Sequence, residues 1–281
     1  MFSNFHTHSE YCDGKGALED YVLAARHAGI SHLGFSSHAP LPFHRSWCMK
    51  PQKLPYYLRQ IESLKAAHTD LDIYKGLEVD FVPGLIAPGD FKAQLDFTIG
   101  SIHFVDSFDD THWEIDNTLE VFREGLSRIF DNNIRKAIAR YCELTRQMMR
   151  QAPPDIVGHM DKIKIHNTQE VFFEESEGWY RDEIDETITA IRKAGSIVEV
   201  NTRGLYKGKS ATTYPSPWVL ERILTAGIPV MINSDAHHPR DLVREFPGAI
   251  ALLKDVGFKN ISILSAGIWK EMPLNEYGTD S

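Results

Sequence analysis

Short apolar runs alternate with amphipathic stretches along the whole chain, and this alternation constrains the fold more than any other feature. Runs at 2–5, 32–35, 71–77, 95–99, 156–157, 197–200 and 228–232 have the length and composition of buried strands, with a weaker eighth at 261–264. Between them, 17–28, 55–67, 119–130, 134–149, 181–194, 217–226 and 241–255 carry helical periodicity. Several of these end at a glycine suited to a left-handed helix terminus: Gly29, Gly195, Gly227 and Gly257. Repeated βα units predict an α/β fold with a parallel sheet, closed into a barrel or left open. No linker, low-complexity tract or break in composition interrupts the 281 residues, so one domain over 1–281 is expected. Two polar segments, 104–117 and 160–180, are long for βα connections and are expected to shape a pocket.

The residue types just past each run narrow the function. His6 and His8 follow the first run, His38 the second, Glu78 the third, His103 the fourth and His159 the fifth. Asn201 and Arg203 follow the sixth, and Asp235 and His237 the seventh. In a parallel barrel these ends share one face, the face that hosts active sites. Imidazole nitrogens and carboxylate oxygens suit Zn, Mn and Fe. His6 and His8 are two apart on an extended chain, so both point to one side and can hold one ion together. Glu78 can bridge two ions. Seven or eight such groups exceed the need of one four-coordinate ion, so two or three ions are expected. Taken singly, each residue has a plainer use. His38, His103 and His159 can be hydrogen-bonded structural histidines, Glu78 a loop acid and Asp235 a helix cap. The coincidence at seven consecutive strand ends is what points to a metal centre. Asp13, five residues after His8 and beside Gly14, either turns the chain or returns to the same site. His27 and His68 fall on helix surfaces.

Charge and composition exclude other classes. With 30 Lys and Arg against 39 Asp and Glu, the formal charge is −9, which disfavours a long nucleic acid as partner. No apolar run reaches the roughly 18 residues of a membrane span. The stretch MFSNFHTHSE lacks the basic and apolar regions of a signal peptide. Cys12, Cys48 and Cys142 are odd in number and show no CxxC spacing, so they read as reduced thiols of a cytoplasmic protein. The sequence carries no signal for an oligomeric state.

His6-Thr7-His8, Ser37-His38-Ala39-Pro40, Gly76-Leu77-Glu78-Val79-Asp80, Gly100-Ser101-Ile102-His103, Gly158-His159 and Ser234-Asp235-Ala236-His237 stand in the order of the PHP superfamily. That superfamily is named for polymerase and histidinol phosphatase, and the chain resembles it from residue 5 to about 238. It is most similar to the monofunctional histidinol-phosphate phosphatases. The segment 199–205, Lys207-Gly208, Tyr214-Pro215-Ser216-Pro217 and the ending GFKNISIL carry that narrower likeness. The resemblance implies a distorted (βα)7 TIM-like barrel with a metal site at the C-terminal ends of the strands. It implies two or three divalent ions (Zn, Fe or Mn) and a small phosphorylated substrate, histidinol phosphate of histidine biosynthesis foremost. The ligands it implies are His6, His8, Asp13, His38, Glu78, His103, His159, Asp235 and His237. The chain departs from the family pattern at Ser37, where an acidic residue is common. It also departs at Arg203 and Tyr206, where a small and a basic residue are common, so details of phosphate binding are expected to have shifted.

The chemistry expected of such a site is attack of a metal-bridging hydroxide on phosphorus, in line with the leaving alkoxide. Glu78, Asp235 and His237 stand at its centre. Arg203 offers a planar fork to phosphate. Lys207, His44 and His238 are further candidates for substrate contact, while Lys207, Lys209 and Lys162 otherwise read as solvated charges. His44, Asp161 and His238 are candidates for a general acid. Trp113, Trp179, Tyr206 and Trp218 can stack on a substrate ring or simply pack, and Asp106, Asp109 and Asp110 can meet a substrate ammonium or stay solvated. Three readings compete. One is a related phosphoesterase for a nucleotide or sugar phosphate. Another is a metal-dependent amidohydrolase, which commonly uses a strand-end lysine that this chain does not offer. The third is a noncatalytic metal-binding protein.

Overall fold

The computed structural model describes residues 1–278. In chain order its elements begin β1 (Phe2–Asn4), α1 (Leu18–His27), β2 (Ile30–Phe35), α2 (Leu54–Ala67), β3 (Asp72–Asp80) and β4 (Phe97–Ser101). A hairpin of β5 (Phe104–Phe108) and β6 (Thr111–Glu114) follows, then α3 (Leu119–Phe130), α4 (Ile134–Gln151) and β7 (Ile156–Val157). The rest comprises α5 (Gly178–Ala194), β8 (Ile197–Asn201), α6 (Arg203–Tyr206), α7 (Pro217–Thr225), β9 (Val230–Asn233), α8 (Phe246–Val256), β10 (Asn260–Ser265) and β11 (Ile268–Pro273).

Strands β1, β2, β3, β4, β7, β8 and β9 form one parallel sheet in that order. The sheet curls until its edges meet. Just past β1 and β9, Thr7 bridges Ala236; His8 N donates to Ala236 O at 2.8 Å and Ala236 N to His6 O at 3.0 Å. Lower on the seam, side chains stand in for backbone. Phe5 N donates to Asn233 Oδ1 at 2.8 Å and Asn4 Nδ2 to Ser234 Oγ at 2.7 Å. The result is a nearly closed seven-stranded parallel barrel, as the (βα)7 expectation required.

Strand alternation sorts the side chains. Val198 and Val200 of β8 pack outward under the helices, whereas Ile197 joins an interior cluster with Phe5, Tyr74, Phe97, Ile99, Ile156 and Met231. Room for the Phe97 ring comes from two glycines: a Cβ on Gly34 or Gly76 would lie 2.7 or 2.4 Å from its Cζ. The weak eighth run does not extend the sheet. It lies in β10, paired antiparallel with β11, and Leu264 and Trp269 of this hairpin plug the interior cluster, with Trp269 5.7 Å from the Phe5 ring.

Most helices match the periodic stretches. Thr118 caps α3, its Oγ1 accepting from Val121 N at 3.4 Å, and Asn133 caps α4, its Oδ1 accepting from Lys136 N at 3.2 Å. The stretch expected to be helical from residue 241 becomes α-helical only at Phe246. A 3-10 turn at Pro239–Asp241 comes first, and Glu245 then takes a left-handed φ of 62° that separates the two. No helix among the described residues is long and apolar enough to cross a membrane.

Candidate metal centre

Each strand delivers its terminal side chain to the mouth of the barrel, and there Glu78 is the hub. Its Oε2 lies 3.2 Å from His6 Nε2, 3.5 Å from His8 Nε2 and 3.0 Å from His38 Nδ1. Its Oε1 lies 3.0 Å from His159 Nε2 and 3.7 Å from His103 Nε2. Asp235 Oδ1 approaches His8 Nε2 at 3.1 Å, His237 Nδ1 at 3.3 Å and His6 Nε2 at 3.8 Å. Asp13, the most exposed member, faces His237 Nε2 at 3.3 Å and His38 Nε2 at 3.9 Å. All nine residues named from the sequence as ligands therefore meet.

The residues fit divalent ions. They fall into overlapping groups, chiefly His6, His8 and Asp235; Glu78, His103 and His159; and His8, Asp13, His38 and His237. Donors about 2.1 Å from one tetrahedral ion stand about 3.4 Å apart, which is the spacing observed. The buried atoms His6 Nε2, His8 Nε2, His38 Nδ1, Glu78 Oε2 and Asp235 Oδ1 have no hydrogen-bond partner in the protein. Leaving such atoms unsatisfied is costly, whereas a cation satisfies them together. Two of the residues also sit on strained backbone: Asp235 has φ 52° and His159 φ 25°.

Electrostatics agree. Burial alone lowers the pKa of His6, but Glu199, Asp235 and Glu78 overturn this and hold it well above the usual histidine value. Burial likewise raises Glu78 and Asp235, but the His6 charge, joined by His38 for Glu78 and Arg203 for Asp235, holds both carboxyls well below their ordinary range. Burial, with His237 and His38 beside it, keeps His8 well below its ordinary value. His103, lowered by burial but raised by Asp80, is pushed up to about 9. The central carboxylates thus stay ionised, while burial holds His8, His159 and His237 below the ordinary histidine value.

A cavity of about 150 Å³ opens over the cluster, lined among others by Asp13, His38, Trp47, Glu114, Asp116, Lys162 and Arg203. An adjoining chamber of about 270 Å³ is lined by Lys162, Arg203, Lys207, Lys209 and Tyr214 among others. Arg203 Nη1 donates to Asp235 O at 2.8 Å and lies 2.5 Å from His237 Nδ1. Tyr206, where the family more often has a base, donates its hydroxyl to Ser234 O at 2.9 Å and so braces the end of β9 instead of offering its ring.

Several sequence expectations need correction. His44 is exposed and lines neither cavity, and His238 turns away, its Nδ1 accepting from Arg240 N at 3.2 Å. Asp161 is buried in an ion pair with Lys164 at 2.7 Å, outside both cavities. Lys162 is no solvated charge: it is buried, 2.8 Å from Asp116 and 3.2 Å from His103 Nε2. Trp113 packs on Gly125, and Trp179 and Trp218 pack around Tyr180. Asp109 pairs with Arg128 on the surface, and Asp106 with Arg140 at 3.6 Å. Beyond Asp13 and Asp235 of the cluster itself, the acids that line the cavity are Glu114 and Asp116, and its aromatic wall is Trp47, whose ring lies 4.5 Å from His38. Sequence reasoning gave no role to Glu199, which is fully buried against His6 at 2.6 Å, or to Asp80, 2.9 Å from His103 Nδ1. A signal existed for Glu199: a carboxylate inside an apolar strand, in phase with Asn201.

Comparison with known proteins gives this geometry a lineage. The chain is 26% identical over 264 residues to a probable histidinol-phosphatase of Deinococcus radiodurans, covering 92% of this chain and 94% of that one. It is 25% identical over 256 residues to the histidinol-phosphatase of Bacillus subtilis, covering 84% of this chain and 94% of that one. Among solved structures it resembles the putative histidinol phosphatase of Listeria monocytogenes, with TM-score 0.78, 22% identity and coverage of 88% and 99%. It also resembles the histidinol phosphate phosphatase of Lactococcus lactis, solved with zinc, L-histidinol and phosphate, with TM-score 0.73, 20% identity and coverage of 96% and 98%. Residues 4–203 match the PHP domain, most of the chain, and the chain belongs to the PHP domain family.

Proposed function

We propose that the chain is a metal-dependent phosphomonoester hydrolase of histidine biosynthesis, acting on histidinol phosphate. The observation that carries this reading is the convergence of His6 Nε2, His8 Nε2, Glu78 Oε2 and Asp235 Oδ1, none with a hydrogen-bond partner, at the mouth of the barrel. In this reading His6, His8, Asp13, His38, Glu78, His103, His159, Asp235 and His237 hold two or three ions of Zn, Fe or Mn. Such ions lower the pKa of water and draw charge from phosphoryl oxygens. Glu78, with one oxygen toward each histidine group, keeps the ligand groups in register, assisted by Asp235 and His237.

The remaining residues bind and orient. Arg203 is anchored through Nη1 on Asp235 O and lines both cavities, which turns its guanidinium toward the space for phosphoryl oxygens, and Lys162 adds a buried cation. Lys207 lies further out in the basic chamber, 3.6 Å from Asp241, and guides the anion in. The same cavity is also lined by Glu114, by Asp116, whose charge is matched by Lys162 at 2.8 Å, and by Trp47, so one wall pairs a carboxylate with a ring face. An ester whose alcohol carries an ammonium and an imidazole matches that wall, as histidinol phosphate does; a sugar phosphate has no positive group to meet it. The partner is then a small phosphorylated molecule, not a nucleic acid, handled by a single domain over 1–281 in the cytoplasm. The relatives named as histidinol phosphatases support the same substrate. A panel of phosphate monoesters on metal-loaded protein tests the reading. The highest kcat/KM is expected for histidinol phosphate, and equal or better turnover of nucleotide or sugar phosphates contradicts it.

A further inference from the structure

Glu199 is a fully buried carboxylate that lines neither cavity over the cluster, yet four groups reach it. His6 Nδ1 and Asn233 Nδ2 meet Oε1 at 2.6 and 3.1 Å; His159 N and Asn201 Nδ2 meet Oε2 at 2.9 and 3.0 Å. The direction of every one of these bonds is fixed. A backbone N–H can only donate, so Asn201 Oδ1, which meets Arg203 N at 2.8 Å, and Asn233 Oδ1, which meets Phe5 N at 2.8 Å, must accept. Both amides therefore turn Nδ2 toward Glu199. His159 N also donates. A carboxylate has about four acceptor sites, and three are filled by obligate donors. The fourth faces His6 Nδ1, which must carry a hydrogen to bond there. The lone pair of the neutral ring is then on Nε2, the atom aimed at Glu78 and Asp235.

We propose that Glu199 is a positioning residue that fixes the His6 ring and its tautomer so that Nε2 alone serves the metal cluster, while its second oxygen holds the backbone of His159 for the neighbouring group of ligands. The inference rests on the metal-centre reading of the site. Glutamine at 199 has nearly the same shape but turns an NH2 toward two donors in either orientation. Flipping Asn201 or Asn233 to compensate would abandon a backbone N–H. An isosteric change should therefore disturb the cluster without making a cavity.

The test is zinc affinity of metal-free protein, measured by competition with a chelating dye, for wild type, Glu199→Gln, Glu199→Asp and His6→Ala. Glu199→Gln is expected to bind zinc ~10- to 100-fold more weakly while keeping its far-ultraviolet circular dichroism, with Glu199→Asp in between. Wild-type affinity in Glu199→Gln overturns the role of Glu199 alone, provided His6→Ala weakens binding. Wild-type affinity in His6→Ala as well overturns the metal reading and this inference together. Should Glu199→Gln fail to fold, nitrogen NMR of the zinc-loaded wild type decides. A His6 ring protonated at Nδ1 and ligated at Nε2 is expected, and one protonated at Nε2 overturns the proposal.

Discussion

Replacing Gly76 with alanine perturbs the barrel one layer beneath the cluster. The added methyl would lie 2.4 Å from Phe97 Cζ and 2.6 Å from Cε1, where ordinary contact begins at 3.4 Å. The ring or the strand must therefore yield by about 1 Å in a close-packed interior. The ring has little room to move, because Phe5 stands against it edge-on at 5.5 Å between centroids. Overpacking of this kind costs about 1–3 kcal/mol. A chain of this size loses about 2–4 °C of melting temperature for each kcal/mol. Leucine at 97 lacks the offending ring atoms, so Gly76→Ala with Phe97→Leu should cost at least ~1 kcal/mol less than the sum of the single changes. Thermal unfolding of the four metal-saturated proteins measures this coupling. Strict additivity, or no cost for Gly76→Ala alone, would refute the packing argument. Glu78 lies two residues along the same strand and face, so Gly76→Ala should also lower turnover, and Phe97→Leu should restore part of it.

Other perturbations probe the cavity and its charges. Lys162→Met removes the buried partner of Asp116 and a cation over the cluster, so kcat/KM should fall about 100-fold; unchanged kinetics contradict its placement in the substrate site. His44→Ala and His238→Ala, outside both cavities, should each leave kcat/KM within about twofold, and a tenfold loss in either would return it to the site. Glu78, Glu199 and Asp235 hold protons less tightly folded than unfolded. Their stabilisation is complete above the ordinary carboxylate range, about 4–4.5, and is lost as pH falls through it toward the depressed folded values. The melting temperature of metal-free protein should therefore drop as pH is lowered below that range, and a rise there would contradict the sign.

The barrel and the side-chain cluster at its mouth were legible because both are written locally. An apolar run that ends in His or Asp shows its strand and its cluster residue together, as Val230 to His237 does. The seam between β1 and β9 was not legible, since it depends on Asn4 and Asn233 bonding across more than two hundred residues. The eighth run is a strand as read, but its place outside the sheet was hidden for a similar reason: its residues suit any strand, and only pairing with the adjoining Trp269 strand makes it a hairpin plug. The cavity wall was hidden deeper. Lys162, Glu114 and Asp116 resemble any polar loop residues in sequence, and only the hairpin of β5 and β6 brings Asp116 back to Lys162 and His103. Tryptophans drew attention by type, yet Trp113 fills the helix core while Trp47, on an unremarked loop, reaches the cluster.

Phosphate release from histidinol phosphate, followed while metal-free protein is titrated with zinc or manganese, tests the central claim most directly. Turnover should be negligible without metal, rise with occupancy and level off at two or three equivalents bound per chain. Undiminished turnover by metal-free protein, or none at full occupancy, would contradict it.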